Sequence, residues 1–224
     1  MNTNNFSRKA GVAVALSAAL LSMQVSAETA SADISVTVNN AITFVKNTDL
    51  NFGDVRARAS LPAGECSGLY LPANPASPLR VVDLAGDTDL VNTGGTDVCT
   101  GEGDAVMTSL GTTPATRAGF TVSGAATFTD LTITIPETVT LNNPNPTAPD
   151  FVLTYIHGYR TSAPTGDVSF AIAATEGVAT VTTDGTGGFT FNLGGALVTQ
   201  PAIATTAVYD DTTYTGSMIV EVAY

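Results

Sequence analysis

The sequence has no tryptophan, a single histidine, two cysteines and few basic residues. Its 224 residues hold 8 Lys and Arg against 20 Asp and Glu, a net charge of −12. Each scarcity removes a class of function. Nucleic-acid binders need clustered Lys or Arg to displace counterions from phosphate, and a chain this acidic repels that backbone, so nucleic acid is not an expected partner. Structural zinc needs about four ligands. Here Cys66 and Cys99 stand far from each other and from His157, and neither a metal nor another cofactor is expected. Sugar-binding platforms draw on aromatic faces, and only 7% of the residues are aromatic. After residue 27 no stretch approaches the roughly 20 apolar residues that a membrane helix needs, so no membrane span is expected.

What is present begins with an export signal. Arg8 and Lys9 precede an apolar run from Ala10 to Met23, and Val25-Ser26-Ala27 forms a small-residue cleavage site. Residues 1–27 therefore read as a secretory signal peptide of the Sec type, which takes the chain through a periplasm to a cell surface or beyond. In an oxidising compartment Cys66 and Cys99 are most simply a disulfide, closing a loop of about thirty residues.

The rest is written in strand language: abundant Thr and Val, short alternating runs, and Gly, Asn, Asp and Pro between them. An all-β sandwich follows as the expected fold class. Ile34, Val36, Val38, Ile42 and Phe44 share one face of an alternating segment, interrupted only by Asn40. At the other end Tyr214, Gly216, Met218, Val220, Val222 and Tyr224 alternate with Thr215, Ser217, Ile219, Glu221 and Ala223. Between them, Phe120 and Val122, then Leu131, Ile133 and Ile135, then Phe151, Leu153 and Tyr155, then Val168, Phe170 and Ile172, and then Phe189, Phe191 and Leu193 mark further strands. The proline-rich stretch 142–149 is a loop, and 183–188 is a flexible hairpin tip.

Residues 56–105 differ in being rich in Gly, Pro, Ala and Asp, and they hold both cysteines. They read as a disulfide-stapled insertion in a domain spanning 51–224, preceded by an N-terminal extension over 28–50. Its acidic residues Asp83, Asp87, Asp89, Asp97, Glu102 and Asp104 do not fit a twelve-residue calcium loop and read as a solvated surface. No Gly-x-Ser-x-Gly elbow accompanies His157, and Gly185-Thr186-Gly187-Gly188 lacks the Lys-Ser/Thr continuation of a phosphate loop. The chain is not expected to be an enzyme.

An alternating segment next to a cleavage site has a further use. Extended segments can complete the open sheet of a neighbouring molecule, placing alternate side chains in a groove while backbone hydrogen bonds join the edges. Residues 31–44 have that form, with Ile34, Val36, Val38, Ile42 and Phe44 as the groove-filling side chains. An ordinary first strand within its own domain alternates in the same way.

Several short motifs, in order, carry a resemblance. Leu50-Asn51-Phe52-Gly53 resembles an "LxFG" opening, Ala118 to Gly124 an "AxFxVxG" strand, Leu131 to Pro136 an "ITLP" strand, and Phe191 to Leu197 a "GGxL" strand. Tyr214-Thr215-Gly216 through Val220, Val222 and Tyr224 is similar to a closing "YxGxxxVxVxY". Together these resemble a family of bacterial exported proteins, long filed as a domain of unknown function, that includes Mat/Ecp-like fimbrial major subunits. The resemblance implies an immunoglobulin-like, pilin-like sandwich that assembles with copies of itself into a surface filament, handled by an assembly chaperone and usher, with roles in adhesion and biofilm. It covers about 31–55 and 105–224, with Met218, Val220, Val222 and Tyr224 as the closing sheet strand, and it leaves out the 56–105 segment. The rival expectation is a monomeric secreted binding module, an adhesin or carbohydrate binder, that uses 56–105 as its contact loop.

Overall fold

The computed structural model describes residues 35, 41–60, 64–82, 99, 101, 103–173, 175–200 and 208–224. The chain divides into two units, Met1–Val38 and Asn39–Tyr224. Fourteen strands and no helix are present among the described residues, all in the second unit. They are β1 (Thr43–Thr48), β2 (Val55–Arg58), β3 (Gly68–Leu71), β4 (Arg80–Val82), β5 (Val106–Ser109), β6 (Ala118–Ser123) and β7 (Asp130–Pro136). After these come β8 (Val139–Leu141), β9 (Phe151–Arg160), β10 (Gly166–Val168), β11 (Ala171–Ala173), β12 (Glu176–Thr182), β13 (Phe189–Thr199) and β14 (Glu221–Ala223). The chain is therefore all-β, and no described helix is long and apolar enough to cross a membrane.

The strands form an eight-stranded sheet, a four-stranded sheet and a two-stranded ribbon of β2 with β5. In the large sheet β13 is the organiser. One edge takes β6 along Phe189–Leu193 and β3 along Gly195–Val198, and the other edge takes β9. Beyond β6 lies β1, beyond β3 lies β4, and β8 and β10 sit on the outer edge of β9. The small sheet runs β11-β12-β7-β14. Period-two patterning builds the contact between them: Leu131, Ile133 and Ile135 of β7 are buried while the residues between them are not. They meet Phe120 and Val122 of β6 and Phe189, Phe191 and Leu193 of β13 in one core. Burying side chains of this size stabilises by roughly 1.5–3 kcal/mol each.

A second apolar cluster covers the outer face of the large sheet. Cys66 and Cys99 form a disulfide with Cα atoms 5.5 Å apart, and they pack with Tyr70, Val82, Tyr155, Ala196 and Val198. The segment 56–105 is thus less separate than its composition suggests. Its strand β3 is buried throughout and hydrogen-bonds to β13, so it is part of the sheet rather than a loop added to it. Of the acidic residues proposed as a solvated surface, Asp104 lies among the described residues, and Asp83, Asp87, Asp89, Asp97 and Glu102 lie outside them.

Two local features re-aim side chains. Facing Gly194 and Ala196 of β13, the partner strand β9 places His157 and Thr154, so Tyr155 and Ile156 together oppose Gly195. This bulge, with Tyr155 at φ 50°, switches faces: Phe151, Leu153 and Ile156 enter the core between the sheets, whereas Tyr155 joins the outer cluster. Phe151, Leu153 and Tyr155 do lie in one strand, as expected, but the bulge puts Tyr155 on the opposite face from the other two. Gly194 is required there because a Cβ would stand 2.1 Å from the carbonyl oxygen of Leu71. At the β12–β13 turn, Asp184 Oδ1 accepts hydrogen bonds from Thr186 N–H at 2.8 Å, Thr186 Oγ–H at 2.7 Å and Gly188 N–H at 3.1 Å. These bonds, the Thr186 hydroxyl first, hold the Asp184 carboxyl below its ordinary range. The 183–188 tip, expected to be flexible, is a strapped turn.

Candidate functional site: the open flank of the sandwich

The connections between the sheets decide which edges coincide. β6 of the large sheet passes through residues 124–129 into β7 of the small one, and β12 of the small sheet passes through 183–188 into β13 of the large one. β6 therefore lies over β7 and β13 over β12. The remaining neighbours, β1 beside β6 and β14 beside β7, fall on the same flank. Two contacts support this placement. A Cβ on Gly124 would meet the Ala41 carbonyl at 2.9 Å, and Ala126 N–H donates to the Tyr224 hydroxyl at 3.1 Å, so the start of β1 and the end of the 214–224 segment border one turn.

Along this flank the core is half covered. Phe44 of β1 stacks on Phe120 and Phe191, with ring centroids 5.3 and 6.3 Å away, yet Phe44 and the preceding Ile42 are only partly buried. In the 214–224 segment Tyr214, Met218, Val220 and Val222 turn toward the core and are also partly buried, while the residues between them are exposed, Ile219 to 71%. The period-two facing expected from the sequence is present, but the hydrogen-bonded strand is shorter than its alternation implied. Only Glu221–Ala223 pair with β7, and Thr215 makes a single bridge to Asn142. The approach at Gly216, where a Cβ would stand 2.6 Å from the Thr140 carbonyl, holds the segment against β8. Neither β1 nor β14 has a second strand neighbour among the described residues.

Among the described residues the flank thus has two sheet edges without a second strand partner and a strip of apolar side chains between them. Such a surface fits one further extended segment. The proposed groove-filling residues divide here. Ile34, Val36 and Val38 lie outside the described residues, whereas Ile42 and Phe44 belong to the flank itself and pack on the core of their own chain. Asn40, the one polar interruption of the alternation, falls just after the end of the first unit.

His157 is placed on the outer face. Its Nε2 accepts from the Ala73 N–H at 2.8 Å, its Nδ1 lies 3.3 Å from the Tyr155 carbonyl, and its ring stacks on Tyr70 with 5.2 Å between centroids. Burial lowers its pKa, and the bond to the Tyr155 backbone and the charge of Asp167 oppose that shift. In this arrangement the neutral ring ties the 72–79 loop to β9. A second polar knot closes the end of the sandwich beyond β8. Tyr209 donates to the Asp150 carbonyl at 2.9 Å, accepts from Gln200 N–H at 2.8 Å and stacks on Phe151, and burial pushes its phenol pKa up. Sequence reasoning had no signal for Tyr209, whose partners are brought together only by the fold.

No protein-family model matches the chain, and no curated protein or solved structure does either.

Proposed function

We propose that this chain is an exported structural subunit of a bacterial surface fimbria or related filament, with an immunoglobulin-like, pilin-like sandwich completed by a strand from the next copy. The observation that carries the reading is the coincidence of the β1 and β14 edges on one flank, with Ile42, Phe44, Met218, Val220 and Val222 half covered between them. The segment that fits is the alternating stretch 31–38 of a second copy, with Ile34, Val36 and Val38 as its groove-facing side chains. Eight extended residues span roughly 26 Å, enough to run the length of six-residue β1. Each large side chain buried contributes roughly 1.5–3 kcal/mol, and pairing with the β1 and β14 edges adds backbone hydrogen bonds. The ordered family-like motifs and the signal-like residues 1–27 support the same reading, with a chaperone and usher covering the flank before assembly.

Electron microscopy of material sheared from expressing cells tests it. The native chain is expected to give thin fibres that resist SDS, and Val36→Asp with Val38→Asp is expected to abolish them while export continues. Normal fibres from the double variant would overturn the mechanism.

A further inference from the structure

Phe128 is the most exposed large apolar side chain described, at 75%, and its backbone is held at φ 52°, a left-handed conformation that is costly for an aromatic residue. The loop around it is not loose. Ala125 N–H donates to the Gly187 carbonyl at 3.0 Å, Thr129 N–H to Thr183 Oγ at 2.9 Å, and Thr183 Oγ–H to the Ala126 carbonyl at 2.7 Å. The ring lies beside Gly185, where even a Cβ would come within 3.3 Å of it. A strained backbone thus presents an aromatic knob on a pre-organised support, flanked by the acidic residues Asp130 and Asp184.

The opposite end of the same strand carries a hollow. β6 separates the 124–129 loop from the 110–117 loop by six residues, roughly 20 Å. There the 72–79 and 110–117 segments border a shallow, open depression of about 530 Å³, lined by Pro75, Pro78, Leu79, Pro114, Ala115 and Arg117 among others. Arg117 is fixed within it, donating from Nε to the Pro72 carbonyl at 2.6 Å and from Nη2 to the Ser77 carbonyl. A half-buried, immobilised guanidinium among proline rings is a receptor for an aromatic face with acidic neighbours.

We propose that Phe128 of one copy seats in the Pro75–Pro78–Pro114–Arg117 hollow of the next, a head-to-tail contact between copies of this chain. Knob and hollow lie at opposite ends of β6 and are different surfaces, so the contact is heterologous and repeats along a row instead of closing a dimer. Charge argues for the same occupant: Asp130 and Asp184 arrive with the ring, and Arg117 waits in the hollow. The contact goes beyond strand completion and does not depend on it, because none of its residues belongs to the β1–β14 flank.

The test uses the full chain carrying Val36→Asp and Val38→Asp, so that strand donation is silenced, followed by sedimentation up to about 1 mM. Reversible, SDS-sensitive association is expected. Phe128→Asp and, separately, Ala76→Glu, at an exposed position lining the hollow, should each weaken it at least tenfold without lowering the melting temperature, with Phe128→Ser as the uncharged check. Mixing the two variants should restore association but stop at a one-to-one dimer, since each supplies the half that the other lacks. A parent chain that stays monomeric, association that survives both changes, or a mixture that does not dimerise would overturn the proposal. SDS-resistant fibres from the native chain report strand completion separately, so either contact can fail without the other.

Discussion

Phe44 and Phe120 face each other with ring centroids 5.3 Å apart, yet Phe120 is 6% exposed while Phe44 is only partly buried. One ring is core and the other is the rim of a half-covered strip, and that difference can be measured. Phe120→Ala should cost about 3–5 kcal/mol, the usual range for a fully buried Phe. Phe44→Ala should cost about half as much in the isolated chain. Assembled material should restore much of the difference, because a neighbouring strand would bury Phe44 as well. Urea unfolding of the two variants, and SDS resistance of their fibres, check both parts.

The disulfide stands between β3 and the cover of the outer face. Its cysteines are 33 residues apart, and by loop-closure entropy the bond stabilises the fold by roughly 3–4 kcal/mol. Cys66→Ser with Cys99→Ser should lower the unfolding free energy by about that amount. Because Cys66 and Cys99 pack on Tyr70, Val82 and Val198, amide exchange should rise first in β3 and β4 and least in β7 and β12.

Gly194 and Gly166 make a matched pair. A Cβ at Gly194 would lie 2.1 Å from the Leu71 carbonyl, whereas nothing stands within 4 Å of one at Gly166. Gly194→Ala should therefore cost about 3 kcal/mol or more through displaced backbone. Gly166→Ala should be near neutral. Thermal melts of the two variants decide the matter, and equal losses would contradict the close β13–β3 approach.

His157 makes stability depend on pH in a defined direction. Burial depresses its folded pKa, so the unfolded chain takes up a proton first, near pH 6.5. The contribution is fully present above that pH and is lost as pH falls through the folded value. Protonation also removes the acceptor that Ala73 N–H uses. With no other histidine in the chain, the fall in stability between pH 7 and 5 should be visibly flatter in His157→Asn. Superimposable profiles would contradict the buried, neutral ring.

The sequence made the one-sided strands readable and the two-sided ones obscure. β7 alternates cleanly because only one of its faces meets the core, and its Leu131, Ile133 and Ile135 stand where period two puts them. β13 is buried without interruption from Leu193 to Thr199 because the disulfide cluster covers its second face, and a continuous run carries no facing information. Tyr155 was lost to a bulge, which moves a side chain across the sheet without altering composition. The alternation of Met218, Val220 and Val222 marked one wall of the flank. Its other wall, Ile42 and Phe44, was joined to the preceding segment because alternation continues past Asn40 and cannot say which molecule a strand completes. Phe128 and the Arg117 hollow come from turns, where neither period applies.

Hydrogen–deuterium exchange tests the central claim most directly. The chain carrying Val36→Asp and Val38→Asp is incubated with a synthetic peptide of residues 31–40. The peptide is expected to slow exchange in 43–48 and 216–224 and to leave β9 unchanged, and the same peptide with Asp at 36 and 38 should do nothing. Absence of protection at both edges, or equal protection by the substituted peptide, would contradict an open flank built to receive this segment.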